Sequence, residues 1–250
     1  MTRVLAVAGR ELGASFESPA AYVTITFFVL VQSALVFFVG YPVGRVPLPG
    51  LWEGGQASLI VLFTWLPLLF AFLVPALTMG AFAEERRSGT QELLFTWPVR
   101  TAEVVVGKFL AAWALLAAAL AATVLPVAWT VAGLGDLDWP ATLAGLCGAS
   151  LLAAAYAAIA LAVSAASEEQ LVAYLVSALL LGGLWALRLA VALVPAGLAP
   201  ALEYAAPSTH FLGGAARGVL DLRDLAYFVL LVLLGLYVSV RLVDRRRLGG

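Results

Sequence analysis

Apolar residues fall into six blocks, each close to the roughly twenty residues that at about 1.5 Å per residue cross a hydrocarbon core of about 30 Å. The blocks predict helices near 20 to 40, 57 to 83, 103 to 132, 141 to 166, 171 to 194 and 224 to 243. The second, third and fourth exceed a minimal span, which allows tilt or extension into water. Pro67, Pro75 and Pro126 fall inside spans and predict local kinks, because each proline lacks the N–H of the helical ladder. Between the second and third blocks lies a dense polar island, Glu84-Glu85-Arg86-Arg87-Ser88-Gly89-Thr90-Gln91-Glu92, running into Leu93-Leu94-Phe95-Thr96-Trp97-Pro98. Lipid cannot hold such a cluster, so it faces water or a partner. Ser88 and Gln91 have the spacing of a capping box and Pro98 ends the run, which predicts a helix of about two turns. Leu93, Leu94 and Trp97 gather on one side of it, opposite Thr90 and Gln91.

Ahead of the first span, Arg3, Arg10 and Glu17 recur at intervals of seven, while Leu5, Ala8, Leu12 and Phe16 share another face. This predicts an amphipathic helix on the inner leaflet, the alternative being an extension of the first span. The segment lacks a short apolar core with a cleavage site, so it does not read as a signal peptide. Before the last span, residues 195–223 are apolar yet broken by Pro195, Gly197, Pro200, Pro207, Gly213, Gly214 and Gly218. That punctuation predicts two short helices dipping into the outer leaflet and returning, with a loosely packed surface loop as the alternative.

Composition supports an all-α integral membrane protein. Hydrophobic residues make up 63% of the chain and charged residues 12%, against about 45 to 50% and about 25% in soluble domains, and the mean hydropathy is +1.02. Alternating spans put Arg3, Arg10, Arg86, Arg87, Arg100, Lys108, Arg241, Arg245, Arg246 and Arg247 on one side and leave Arg45, Arg217 and Arg223 opposite. By the positive-inside rule both termini and the polar island are cytoplasmic. The outer loops leave no room for a soluble external domain, so residues 1–250 read as one membrane domain. The lone Cys147 sits in an apolar run, which excludes an intrachain disulfide and suggests a small packing group.

Candidate chemistry is sparse. No phosphate-binding loop of the G-x-x-x-x-G-K-[ST] type is present, and Gly107-Lys108 is followed by Phe109 rather than a hydroxyl residue. An intramembrane hydrolase would need Glu84-Glu85 and the only histidine, His210, at one site, but they are expected on opposite sides of the membrane. No catalytic or metal-ligating set is therefore assigned. Arg188, near the outer end of the fifth span, is expected to snorkel or pair with Glu203. His210 reads as a polar cap or hydrogen-bonding group. Ala144, Gly148 and Ala149 permit close helix approach, within the chain or at a dimer seam.

The segment Phe82-Ala83-Glu84-Glu85-Arg86-Arg87-Ser88-Gly89-Thr90-Gln91-Glu92-Leu93-Leu94, with Pro98-Val99 and Gly107-Lys108 after it, resembles the cytoplasmic loop of type-2 ABC transporter permeases. Six spans agree with that likeness. The ending Arg217-Gly218-Val219-Leu220-Asp221-Leu222-Arg223-Asp224 is similar to that of gliding-motility GldF-like permeases. The resemblance implies a bacterial inner-membrane exporter subunit working as a dimer of six-span halves, with a second copy or a related permease. It also implies a separate ABC ATPase that carries the ATP and Mg, this chain holding no cofactor. Ser88 to Trp97 would be the coupling helix, with Leu93, Leu94 and Trp97 as anchors and Glu84, Glu85, Arg86 and Arg87 as a charged rim. Arg188, Glu203, His210, Arg217 and Asp221 are candidates for an outer gate. A nontransporting anchor that moves an external partner is the alternative function, and the cargo is not named by the sequence.

Overall fold

The computed structural model describes residues 2–42, 47–54, 57–87, 100–195 and 197–248. The predicted coupling helix from Ser88 to Trp97, and Arg45, lie outside the described residues. The elements are α1 (Thr2–Glu17), α2 (Pro19–Ala34) with a π-helical turn over Leu35–Val39, α3 (Leu51–Gly54), α4 (Ile60–Thr78) and α5 (Gly80–Arg87). There follow α6 (Thr101–Leu134), α7 (Trp139–Ala166), α8 (Gln170–Ala190), α9 (Ala199–Ala205), α10 (Pro207–Gly213) and α11 (Leu222–Leu248). Six helices are long and apolar enough to cross a membrane: 21–39, 60–84, 101–134, 139–166, 170–190 and 222–246. They match the six sequence blocks, with the fifth ending earlier than expected because a 3-10 turn takes over at Val191–Leu193.

Among the described residues the centre of the bundle is α7, packed against α4, α6, α8 and α11. Its sequence explains its place: Ala153, Ala154, Ala155, Ala157, Ala158 and Ala160 are all buried, and such small side chains let helices approach closely where lipid removes the hydrophobic drive between them. Ala144, Gly148 and Ala149 are buried here too, so their close approach is made within the chain. Cys147, expected to pack inside, is instead exposed, because it lies on the face of α7 turned from its neighbours. The windows of the first, fifth and sixth spans are only 17%, 17% and 22% buried, so α2, α8 and α11 present most of their apolar surface outward.

The prolines lie inside their helices without interrupting them. α4 runs unbroken through Pro67 and Pro75, and α6 through Pro126. The break comes one turn after Pro75, at Met79, whose N–H still donates to the Pro75 carbonyl at 2.8 Å. The N-terminal helix forms as a separate element, and the sequence did not show which of its residues docks on the bundle. Val7 is buried against α6, whereas Leu5 and Phe16 are 64% and 39% exposed. The reason is Gly107 on α6: a side-chain carbon there would come within 2.7 Å of Val7 Cβ, so the glycine's bare backbone sets which face of α1 docks.

Candidate functional site

At one end of the bundle α1, the start of α6, the end of α5 and the start of α8 meet. α5 carries Glu84, Glu85, Arg86 and Arg87 toward the segment that joins it to α6. The helix break ahead of α5 frees backbone groups in an apolar setting, where each must find a partner. Ser164 of α7 supplies both. Its hydroxyl accepts the Phe82 N–H at 3.2 Å and donates to the Met79 carbonyl at 2.9 Å, and it is fully buried. The joint between the second span and α5 is thus stitched to the central helix by one side chain. Ser164→Ala leaves the buried Phe82 N–H without this acceptor and the part-buried Met79 carbonyl without this donor, and is expected to cost about 2 kcal/mol. Thermal unfolding of the purified protein measures it, and an unshifted midpoint would show that the stitch carries no stability.

Lys108, read in the sequence as a marker of the inner side and as part of the Gly107-Lys108 pair, is 3% exposed. Its ammonium meets Glu11 Oε2 at 3.1 Å and sits 5.3 Å from the centre of the Phe82 ring. Glu11 Oε1 accepts from Arg10 at 2.8 Å. Burial by itself would raise the Glu11 carboxyl, but Lys108 and Arg10 outweigh it and hold the group below its ordinary value. This ion pair ties α1 to α6 beside the break at Met79. Sequence reasoning missed Glu11; its signal was a carboxylate on the same helical side as Val4 and Val7, adjacent to the charged face it was not counted in.

The other end is closed by the segment before the last span. α10 follows α9 after a single residue, Ala206, and starts on Pro207, whose missing N–H costs nothing at a first helical position. α9 has no buried residue, while Pro207, Ser208, His210, Phe211 and Leu212 of α10 are buried. Phe211 meets Phe63 of α4 edge-on at 6.2 Å. Ala215 packs on Gly148, at a position where any side chain would collide with it. Gly148 lies nine residues into α7, so the segment reaches about 13 Å in from the N-terminal end of that helix, at 1.5 Å per residue. The paired short helices expected from the sequence are therefore present, and the returning limb is packed rather than loose.

His210 holds this hairpin to the last span. Its Nδ1 lies 2.7 Å from Asp224 Oδ1 and its Nε2 2.9 Å from the Tyr204 carbonyl. Both partners are acceptors, so the ring satisfies both when each nitrogen carries a proton. The ring stacks on Tyr227 at 3.9 Å, and the Tyr227 hydroxyl donates to the Ala205 carbonyl at 2.9 Å. The other outer-gate candidates do not join it. Arg188, Glu203 and Arg217 are exposed, and among the described residues no ion pair links Arg188 to Glu203. Burial pushes the Tyr41 phenol up while Arg188 acts against it, which places the guanidinium within electrostatic reach of Tyr41 instead. Asp221 caps α11: its carboxylate accepts the Arg223 N–H at 2.9 Å and its carbonyl the Leu225 N–H at 3.1 Å. Asp224 is the partner of His210, a pairing that the sequence did not single out, since nothing in their spacing reveals the contact.

Glu84 and His210 lie at opposite ends of the bundle. Phe63, beside Phe211, opens α4, and Glu84 follows it by twenty-one residues of nearly continuous helix, about 30 Å. They share no site. In comparisons with known proteins, the family model described as ABC-2 family transporter protein matches residues 14–234. No curated protein matches the chain.

Proposed function

The chain belongs to the ABC-2 family of transporter proteins, and from that premise we propose that it is the six-span half of an exporter, driven by a separate ATPase seated on residues 84 to 97. The observation that carries this reading is the place of the island: it joins α5 to α6 at the end where Ser164 and the Glu11–Lys108 pair bind those helices to the bundle. Motion applied there passes into the second and third spans. In this reading Glu84, Glu85, Arg86 and Arg87 would be the charged rim, Ser88, Gly89, Thr90, Gln91 and Glu92 part of the ATPase-coupling set, and Leu93, Leu94 and Trp97 the apolar anchors. ATP and Mg belong to the partner, and a second permease half completes the assembly. Residues 1–250 act as one membrane domain, and the ending from Arg217 to Asp224 makes a GldF-like member the subtype we favour. The test is recovery of an ABC ATPase with the tagged, full-length chain in mild detergent, with ATP hydrolysis in the purified complex. A chain recovered without any ATPase partner would overturn the reading.

The charge distribution orients this assembly with both termini and the island in the cytoplasm of a bacterial cell, the chain lying in the inner membrane. With Cys147 replaced, an impermeant external thiol reagent is expected to label Leu51→Cys and to spare Ser88→Cys in intact cells. The reverse pattern would invert the topology.

Gating belongs to the outer hairpin in this reading, with His210 and Asp224 as its latch in place of the wider set first considered. Crosslinking residues 198 to 220 between the two permease halves is expected to abolish transport while leaving the ATPase bound. Undiminished transport with complete crosslinking would remove the gate.

A further inference from the structure

His210 is the only histidine in the chain, and imidazole is the side chain whose unperturbed charge change falls between pH 5 and 8. It is buried, and both of its nitrogens face acceptors: Nδ1 the Asp224 carboxylate at 2.7 Å and Nε2 the Tyr204 carbonyl at 2.9 Å. A neutral imidazole carries one N–H and cannot donate to both. The arrangement is complete with one more proton, on the ring or on the carboxyl; in the second case Nδ1 accepts from the carboxyl and Nε2 still donates. Without that proton the ionised carboxylate takes the remaining N–H, because a charged acceptor binds it more strongly than a carbonyl does. The Nε2 lone pair is then left against the Tyr204 oxygen, two acceptors 2.9 Å apart. That carbonyl belongs to the last turn of α9, where the helix itself supplies no donor.

The proton holds a helix that has little else to hold it. α9 has no buried residue, while α10 buries Phe211 and Leu212. Tyr204 stands edge-on to the His210 ring at 5.0 Å and to the Tyr227 ring at 6.0 Å, and the Tyr227 hydroxyl bonds the Ala205 carbonyl. α9 otherwise lies along α8 and the 3-10 turn that follows it. Of the elements packed on α10, α11 presents Asp224 and Tyr227 to the ring and α9 presents Tyr204. α4 carries no titratable side chain, α7 only Cys147 and Tyr156, and α8 only Tyr174 and Arg188. Arg188, Glu203, Arg217, Asp221 and Arg223 are exposed, and none of the five forms an ion pair among the described residues. We propose that the hairpin is a proton-sensitive latch: one proton shared by His210 and Asp224 holds α9 down, and its loss to water as the pH rises frees α9 while α10 stays docked. The latched state binds one proton more than the open one, so acid favours it. Its use as a gate rests on the reading above; the proton response does not.

The test uses the full-length chain in nanodiscs, with Cys147→Ser and a nitroxide spin label at Ala201→Cys, an exposed position of α9. Between pH 5 and pH 9 the mobile fraction of its spectrum is expected to rise at least threefold, in a transition fitted by one proton. The same label at Val219→Cys, exposed and beyond the docked α10, is expected to hold its mobile fraction. Asp224→Asn separates the latch from a general loosening. Its neutral amide donates to Nδ1, which leaves Nε2–H for the Tyr204 carbonyl with no added proton, so α9 is expected to stay held at both pH values. His210→Gln is expected to remove the transition. A constant mobile fraction at Ala201→Cys, an equal rise at Val219→Cys, or the full transition persisting in a folded Asp224→Asn protein would each overturn the latch. Should Asp224→Asn fail to fold, a transition retained in His210→Gln overturns it instead. Transport does not enter this readout, so undiminished transport by crosslinked halves would remove the gate and leave the proton response standing.

Discussion

Leu94→Asp is expected to abolish recovery of the ATPase with the chain while the variant inserts at the wild-type level. The island is a long polar run between the second and third spans, and the spacing of Leu93, Leu94 and Trp97 would gather them on one side of a helix. An anchor of this kind leaves water for an apolar groove. A carboxylate at the same position loses its hydration without gaining a partner, which costs at least about 2 kcal/mol of association, some thirtyfold in affinity, and more if the groove is dry. Quantitative pull-down of the ATPase against a tagged permease measures it. Normal recovery would remove the island as the main docking element and leave the family membership untouched.

Glu11→Leu is expected to destabilise the protein by about 3 to 5 kcal/mol, because it takes away the carboxylate that Lys108 meets while the lysine stays buried against Phe82. Replacing both, as Glu11→Leu with Lys108→Met, is expected to recover most of that loss, since neither charge is then held out of water. The sign of the pH dependence follows from the lowered Glu11 carboxyl. A depressed acid contributes stability above its ordinary value of about 4.5 and loses it as the pH falls through the lower, folded value. The wild type should therefore lose more of its unfolding temperature between pH 7 and pH 3 than the double variant does. Equal losses, or a single variant as stable as the wild type, would show that the pair is decorative.

The six spans could be read from the chain because crossing a hydrocarbon core is a requirement each segment meets by itself: length and apolarity suffice, and no neighbour is consulted. The same holds for the paired short helices before the last span, where Pro200, Pro207 and the glycines dictate breaks that α9 and α10 obey. What tertiary structure decided is which rare polar groups meet. Glu11 and Lys108, Ser164 and the Met79 break, and His210 and Asp224 are each joined across separate elements, and in helices this apolar a single polar residue leaves no period to show which way it points. The same applies to rotation. Gly107 turns Val7 of α1 inward and Leu5 outward, and Cys147 faces out although its helix is the most enclosed of the six. In a span that is apolar on every side, the sequence determines that a helix crosses, and only the shapes of its neighbours determine which face it gives them.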